Sequence, residues 1–290
     1  MPLTWNRYGK SHVRLVKVTR TGGRHNLIDL TLDIQLEGAF DAVYTDGDNR
    51  SCIATDTMKN TVYAFARRYS IDHVEWFLIR LSDHFSAKPA VSRVRIAVVE
   101  HPWSRVSLAG RPQPHAFVQP GGEHWTALVD RDAGTMRVCA GVANLVVMKT
   151  GGSGFASFAR DEYTTLPETG DRILATSITA TWQYRPEVVD FSARDRIRTA
   201  LIEAFAAHDS RSLQHTLYAM GEAALAACAD VTEITLSLPN RHHLLVDLQP
   251  FGLDNTNEVF VATDQPYGLI EATVTRRAGY RETFDGQRRP

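Results

Sequence analysis

The chain repeats one order of segments twice: two strand-like segments, two helical segments and two more strand-like segments. Strands are indicated by hydrophobic residues at every second position, and helices by hydrophobic residues three or four positions apart. In the first half, strands are expected at 12–20, 26–36, 91–100 and 125–129, with helices that begin after Asp56 and after Asp72. In the second half, strands are expected at 136–148, 172–184, 231–238, 244–248 and 258–262, with helices at 191–208 and 213–228.

Because the helices come in consecutive pairs, the chain cannot be the regular alternation of strand and helix that builds a parallel sheet. The order predicts an α+β fold instead, with an antiparallel sheet covered by helices on one face. The repeat divides the chain into two predicted domains, residues 1–135 and 136–290, with loops at 41–49 and 109–122. A sheet covered on one face leaves edges exposed, so we expect oligomerisation that joins sheets edge to edge.

The charge balance argues against nucleic acid and anionic membranes as partners. Lys and Arg number 32 against 33 Asp and Glu, so an anionic ligand would have to be attracted by a few placed cations. The three cysteines form no C-x-x-C pair, which favours free thiols over disulfides or zinc. With no signal segment, membrane-length apolar run or terminal Ser-Lys-Leu address, a cytoplasmic location is expected.

Sequence signatures of bound cofactors are lacking as well. No G-x-G-x-x-G follows a strand, and no Walker lysine follows the glycine-rich segment 151–154. The 11 histidines include no H-E-x-x-H, and the adjacent His242 and His243 would point to opposite faces of a strand. The motif search therefore gives no sign of a nucleotide, dinucleotide or zinc site.

Four polar clusters carry groups capable of chemistry, although each has an ordinary structural explanation by itself. Lys10 could be solvated surface, and Thr55 or Asp56 could simply cap the helix that follows. The run 160–166 could be a charged loop, and 238–242 a polar loop after an apolar strand. Taken singly, none of them indicates a function.

Taken together, the clusters resemble the urate oxidase (uricase) family, from about Tyr8 to Val274. The matching motifs are Tyr-Gly-Lys at 8–10, Ala-Thr-Asp-Thr-Met-Lys-Asn-Thr at 54–61, Phe155 followed by Arg-Asp-Glu-Tyr-Thr-Thr-Leu at 160–166, Asp-Arg-Ile-Leu at 171–174, Leu-Gln at 213–214 and Leu-Pro-Asn-Arg-His at 238–242. Each motif is weak alone, but the ordered set is specific. The resemblance implies the tunnelling fold, in which two ββααββ domains per chain form a homotetramer around a channel, with active sites between subunits.

The resemblance also implies oxidation of urate by molecular oxygen and water to 5-hydroxyisourate and hydrogen peroxide, in purine catabolism and without a cofactor. Arg172 and Gln214 would clamp the purine, since a guanidinium offers a fork of donors and an amide both donates and accepts. Phe155 would stack on the flat ring. The backbone at Leu213 would meet the ligand through an amide.

In the family that the chain resembles, Thr55 and Asp56 come from the neighbouring subunit, and Asn240 with Thr55 holds oxygen or water over the ring. Lys10, Thr55 and His242 resemble a proton relay. Urate must lose protons before it can pass an electron to oxygen, and their removal needs a base whose pKa is near the working pH. A lysine can serve if partial burial and a neighbouring cation lower its pKa.

Three alternatives stay open at this point. Another purine- or pterin-binding enzyme of this fold would need Cys and His ligands for metal chemistry, and the three cysteines lack a suitable spacing to histidine. A non-catalytic purine-binding protein would have lost Lys10, Thr55 or His242, yet all three are present. An α+β protein without a site would explain each cluster singly, but not their joint order.

Overall fold

The structure, a computed structural model, describes residues 1–132 and 134–276. The strands are β1 (Tyr8–Thr21), β2 (Arg24–Gly38), β3 (Val91–Glu100), β4 (Ser104–Leu108), β5 (Arg111–Val118), β6 (His124–Asp132), β7 (Thr135–Lys149), β8 (Leu174–Tyr184), β9 (Val231–Leu245), β10 (Phe260–Thr263) and β11 (Leu269–Thr275). The helices are α1 (Asp41–Thr45), α2 (Thr55–Arg68), α3 (Val74–Ser86), α4 (Arg194–Ala207) and α5 (Leu213–Ala227), with short 3-10 turns at Asn49–Ser51 and Gln249–Phe251.

One antiparallel sheet of nine strands forms the frame of the molecule. Its strands are hydrogen-bonded in the order β1-β2-β3-β6-β7-β8-β9-β10, and β11 pairs with the first part of β9. β4 and β5 form a separate hairpin. The sheet continues without a break where β6 pairs with β7, beside the expected division at residue 135. The two-domain division stays a prediction, and residues 277–290 of the second domain lie outside the described residues.

The helices cover one face of the sheet because the strands alternate in polarity. In β2, Leu30, Leu32, Ile34 and Leu36 are fully buried, whereas the residues between them are polar and only partly buried. Full burial of each such side chain stabilises the fold by roughly 1.5–3 kcal/mol. On this apolar face α2 packs on β1, α3 packs on β3 and β6, and α5 packs on β9 and β11. The predicted α+β class with an antiparallel sheet is therefore confirmed.

Some segment boundaries differ from those expected, most clearly in the first half. The loop expected at 41–49 begins with the five-residue helix α1. The turn-rich stretch 109–122 contains β5, which Pro112 and Pro114 obscured in the sequence. Proline lacks a backbone N–H and is tolerated where a strand has a free edge. Among the described strands β5 pairs with β4 alone, so its other edge is free of ladder bonds.

The second half also differs from expectation at its end. The strand expected at 231–238 runs on through Pro239 and ends at Leu245, so the single strand β9 includes only the first two residues of the strand expected at 244–248. Ser237 and Asn240 pair with β8, but Pro239 does not. The missing N–H of Pro239 therefore removes no hydrogen bond between β9 and β8. β11 was not expected, although apolar and polar residues alternate along it from Ile270 to Val274, its one buried side chain. Among the described helices, α5 is the longest, with 15 residues. Within 1–132 and 134–276, no helix combines the length and the apolar composition that a membrane crossing requires.

The start of β1 is fixed tightly against β2. A Cβ on Gly9 would overlap the carbonyl oxygen of Ile34, so only glycine permits this close approach. The pairing of β1 with β2 then shifts between Lys10 and Val13. In this bulge His12 takes a left-handed φ of 55°, and its N–H donates to Asp33 Oδ1 at 2.7 Å. The segment that carries Lys10 is therefore constrained from both sides.

We expect Gly9→Ala to lower the free energy of unfolding by roughly 1–3 kcal/mol, because the added methyl group must push β1 away from β2. Urea unfolding at one fixed protein concentration measures the loss. Gly170→Ala is the matched control, since a Cβ there meets nothing within 4 Å. Equal stability of the two variants would show that the close approach at Gly9 is not a constraint.

Candidate active site

A cleft of about 680 Å³ lies at the end of the sheet where β8 begins and β9 ends. Four of the residues singled out in the sequence line it: Phe155, Arg172, Asn240 and His242. They meet because β8 and β9 are antiparallel, with Thr176 opposite Asn240. Arg172 precedes the first residue of β8 by two positions, and Phe155 follows β7. The fold thus brings together residues that are up to 87 positions apart in the chain.

Arg172 lines this cleft and has an unsatisfied donor. Its Nε is buried and has no hydrogen-bond partner within residues 1–132 and 134–276. Burial also lowers the pKa of Arg172, because desolvation disfavours the charged guanidinium. Arginine nevertheless remains a cation in proteins. Buried polar groups are normally hydrogen-bonded, so the site is suited to an anionic or carbonyl-bearing ligand that supplies the acceptor.

Phe155 stands beside this cation. The Cζ of Arg172 lies 5.1 Å from the centroid of the Phe155 ring. The backbone of Phe155 is fixed by two hydrogen bonds with Thr169, its N–H to the Thr169 oxygen at 2.8 Å and the reverse bond at 3.0 Å. Phe158 stacks on the ring with centroids 4.9 Å apart and an interplanar angle of 12°. A flat ligand in the cleft would meet a held aromatic ring and a cation together.

The loop before Phe155 is joined to the segment that leads into α5. Gly154 donates its N–H to the Ser210 oxygen at 2.8 Å, and the Ser210 N–H donates to the Gly152 oxygen at 3.0 Å. Thr216 donates to Ser210 Oγ at 2.7 Å in a fully buried contact. This network fixes the first turn of α5 relative to the loop that carries Phe155.

Leu213 and Gln214 occupy the start of that first turn. The Ser212 side chain caps the helix by accepting from the His215 N–H at 3.1 Å. Leu213 is buried and Gln214 is exposed. Neither is among the residues that line the cleft, although the backbone pairing of the preceding segment places both near the Phe155 loop. Of the two clamp residues predicted from the sequence, Arg172 lines the cleft and Gln214 does not.

Lys10, Thr55 and Asp56 form a second cluster, in the first half of the chain. Lys10 lies near the start of β1, and Thr55 is the first residue of α2. The expected capping role of Thr55 or Asp56 was wrong: the N-cap is Ala54, and it makes no side-chain capping bond. Lys59 hydrogen-bonds the Asp56 carboxylate and lowers its pKa most, and the charge of Lys10 lowers it further.

The two clusters do not meet within one chain. Lys10 lies on β1 and His242 lies on β9, six strand positions apart in the sheet. At about 4.8 Å per strand, the separation is roughly 29 Å along the sheet. Lys10 and Thr55 therefore cannot pass a proton to His242 of the same protomer. A site that uses all of them needs a second copy of the chain.

Sequence reasoning gave no role to Tyr8, although it belongs to the Tyr-Gly-Lys motif. Its hydroxyl accepts a hydrogen bond from the Ile53 N–H at 2.8 Å, across 45 positions of sequence. Periodicity and motif spacing carry no signal for such a contact.

Metal binding offers no further candidates, since no group of three or more His, Cys, Asp or Glu side chains suited to a metal occurs in 1–132 and 134–276.

Comparison with known proteins gives a consistent result. The family model described as Uricase matches residues 6–130 and 138–271. A uricase from Arthrobacter globiformis is 48% identical over 273 residues, which cover 93% of this chain and 89% of the relative. A uricase from Oryctolagus cuniculus is 36% identical over 283 residues, or 94% of either chain. The crystal structure of uricase from Arthrobacter globiformis superposes with a TM-score of 0.92 at 47% identity, covering 97% of this chain and 96% of that chain.

Proposed function

The chain belongs to the uricase family, and on that premise we propose that the Arg172 cleft binds urate for oxidation by molecular oxygen. The observation that carries the proposal is the buried, unpartnered Nε of Arg172 beside the Phe155 ring. Urate is flat and anionic, and it carries ring carbonyls and nitrogens. It therefore supplies both the acceptor that Arg172 lacks and a surface for aromatic contact.

Other polar groups near the cleft would complete the recognition of urate. Gln214 would extend the clamp along a second edge of the purine, because an amide can both donate and accept. The backbone N–H at Leu213 would add a donor from the first turn of α5. Asn240, which lines the same cleft, would hold oxygen or water over the ring together with Thr55 of another subunit.

Lys10, Thr55 and His242 would move the protons of the reaction. Removal of protons from urate makes the purine electron-rich enough to reduce oxygen. Two electrons pass from urate to O2, water adds its oxygen at C5 of the purine, and the released protons combine with the reduced oxygen. The products balance as 5-hydroxyisourate and hydrogen peroxide. The protein supplies orientation and proton transfer, and no metal or organic cofactor takes part in the proposed reaction.

The proposed site lies between subunits of a homotetramer. The six strand positions between β1 and β9, roughly 29 Å measured along the sheet, support this, since one protomer would not complete the site. β1 at one sheet edge exposes Val16 and Val18, and the strands at the other edge expose Val261 and Leu269. Such apolar edges are suited to burial by further copies of the chain.

A cytoplasmic location is part of the proposal, because the three free cysteines fit a reducing compartment.

Purified protein treated with a chelator should remove the near-ultraviolet absorbance of urate and release one peroxide per urate consumed. Peroxide is measured with a coupled peroxidase. An enzyme that needs added metal after dialysis would contradict the cofactor-free reaction, and protein that leaves urate unchanged would contradict the proposed function.

Arg172→Ala should weaken urate binding by roughly 2–5 kcal/mol, because the purine anion loses its buried cationic partner. KM and the Kd of a non-reacting purine analogue would report the loss. Arg196→Ala serves as the control, since this arginine is exposed on α4 and does not line the cleft. Unchanged affinity in Arg172→Ala would remove this residue from the clamp.

Subunit sharing is tested by co-expressing Lys10→Met with Arg172→Ala, each with its own affinity tag. Each variant alone should lose kcat or binding severely, since every site then lacks one required group. In mixed oligomers, about a quarter of sites would combine an intact Lys10 from one chain with an intact Arg172 from another, and that fraction of activity should return. If each site lay within one chain, every site would keep a defect and no activity would return.

A further inference from the structure

The Tyr8 hydroxyl joins the two segments that carry Lys10 and Thr55. It accepts a hydrogen bond from the Ile53 N–H at 2.8 Å. Tyr8 precedes Lys10 by two residues, and Ile53 precedes Thr55 by two residues. One hydrogen bond therefore ties the start of β1 to the entry of α2, next to both residues.

The position of that hydroxyl is set by packing of the ring. Tyr8 meets Phe40 edge to face, with ring centroids 4.9 Å apart and planes at 90°. Phe40 is fully buried, so it provides a fixed surface. Tyr8 and Ile53 both pack against the hydrophobic core. The phenol ring is thus anchored in the core while its oxygen reaches the backbone before α2.

Strand geometry directs Lys10 to the same face as Tyr8. Side chains two positions apart on a strand share a face of the sheet. Tyr8 and Lys10 stand opposite Leu36 and Ile34 of β2, which are buried on the helix-covered face. Both side chains therefore face the layer in which α2 begins. Beyond Lys10, the bulge at His12 prevents the strand from sliding against β2.

We propose that Tyr8 is a positioning residue whose hydroxyl, by holding Ile53, sets the placement of Thr55 relative to Lys10. The inference rests on the proposed function, in which those two residues belong to the proton relay. Loss of the hydroxyl bond would free the entry of α2 to move away from β1. A displacement of about 1 Å in a relay can cost up to a hundredfold in rate.

Tyr8 acts through its hydrogen bond rather than as an acid or base of the reaction. Burial raises the pKa of the Tyr8 phenol to about 12. The phenol therefore stays protonated near neutral pH. Its oxygen remains available as the acceptor for the Ile53 N–H throughout the catalytic cycle.

Tyr8→Phe keeps the ring and its contact with Phe40 but removes the acceptor. We expect kcat for urate to fall about tenfold while KM stays within about twofold, because the purine clamp of Arg172 is untouched. Tyr63→Phe is the matched control. The Tyr63 hydroxyl donates to the Arg14 carbonyl at 3.2 Å and also joins α2 to β1, but four residues beyond Lys10. We expect its kcat to remain that of the wild type.

Thermal unfolding of both variants at one protein concentration separates positioning from stability. A general loosening of α2 against β1 would lower Tm in both variants and would leave the kcat of folded protein unchanged. Unchanged kcat in Tyr8→Phe, or an equal loss of kcat in Tyr63→Phe, overturns the positioning role. If the wild-type protein does not oxidise urate, both the proposed function and this inference are wrong. Wild-type turnover together with an unaffected Tyr8→Phe overturns the inference alone.

Discussion

The breadth of the nine-stranded sheet is the constraint on which the proposed chemistry depends. Hydrogen bonds set the spacing of neighbouring strands, so the position of a residue in the strand order fixes how far it can lie from another. β1 carries Lys10 at one edge, and β9 carries His242 near the other. In the proposed mechanism, a second copy of the chain would have to bring these edges together. The proposed assembly and the proposed catalysis would then both follow from the same sheet geometry.

Much of the fold could be predicted from the sequence because the strands and helices are strongly periodic. Leu30 to Leu36 alternate without exception, and the stripe of α3 is equally regular. The prediction failed where local signals conflicted with tertiary pairing. The prolines of β5 resemble turn residues until β4 pairs with it, and Pro239 resembles the end of a strand although β9 runs through it.

The candidate site could be predicted only by residue identity, through the ordered motifs of a known family. No periodicity brings Phe155 and Arg172 to Asn240; that requires the antiparallel register of β8 and β9. The unsatisfied Nε of Arg172 and the Tyr8–Ile53 bond depend on side-chain placement, which a sequence does not specify. In a chain with almost no net charge, the proposed attraction for an anion would be local, and Arg172 is a partly desolvated cation that lines the cleft.

The unbroken pairing of β6 with β7 also limits how this protein can be divided. Nine registered pairs join β6 to β7, from His124–Ala143 to Asp132–Thr135. A gene fragment that encoded either half alone would leave one of these long strands with a bare row of N–H and C=O groups. Such an exposed strand edge can pair with strands of other chains and cause aggregation. The two halves are thus topological repeats that share one scaffold, and a proteolytic cut in their connection need not release independent modules.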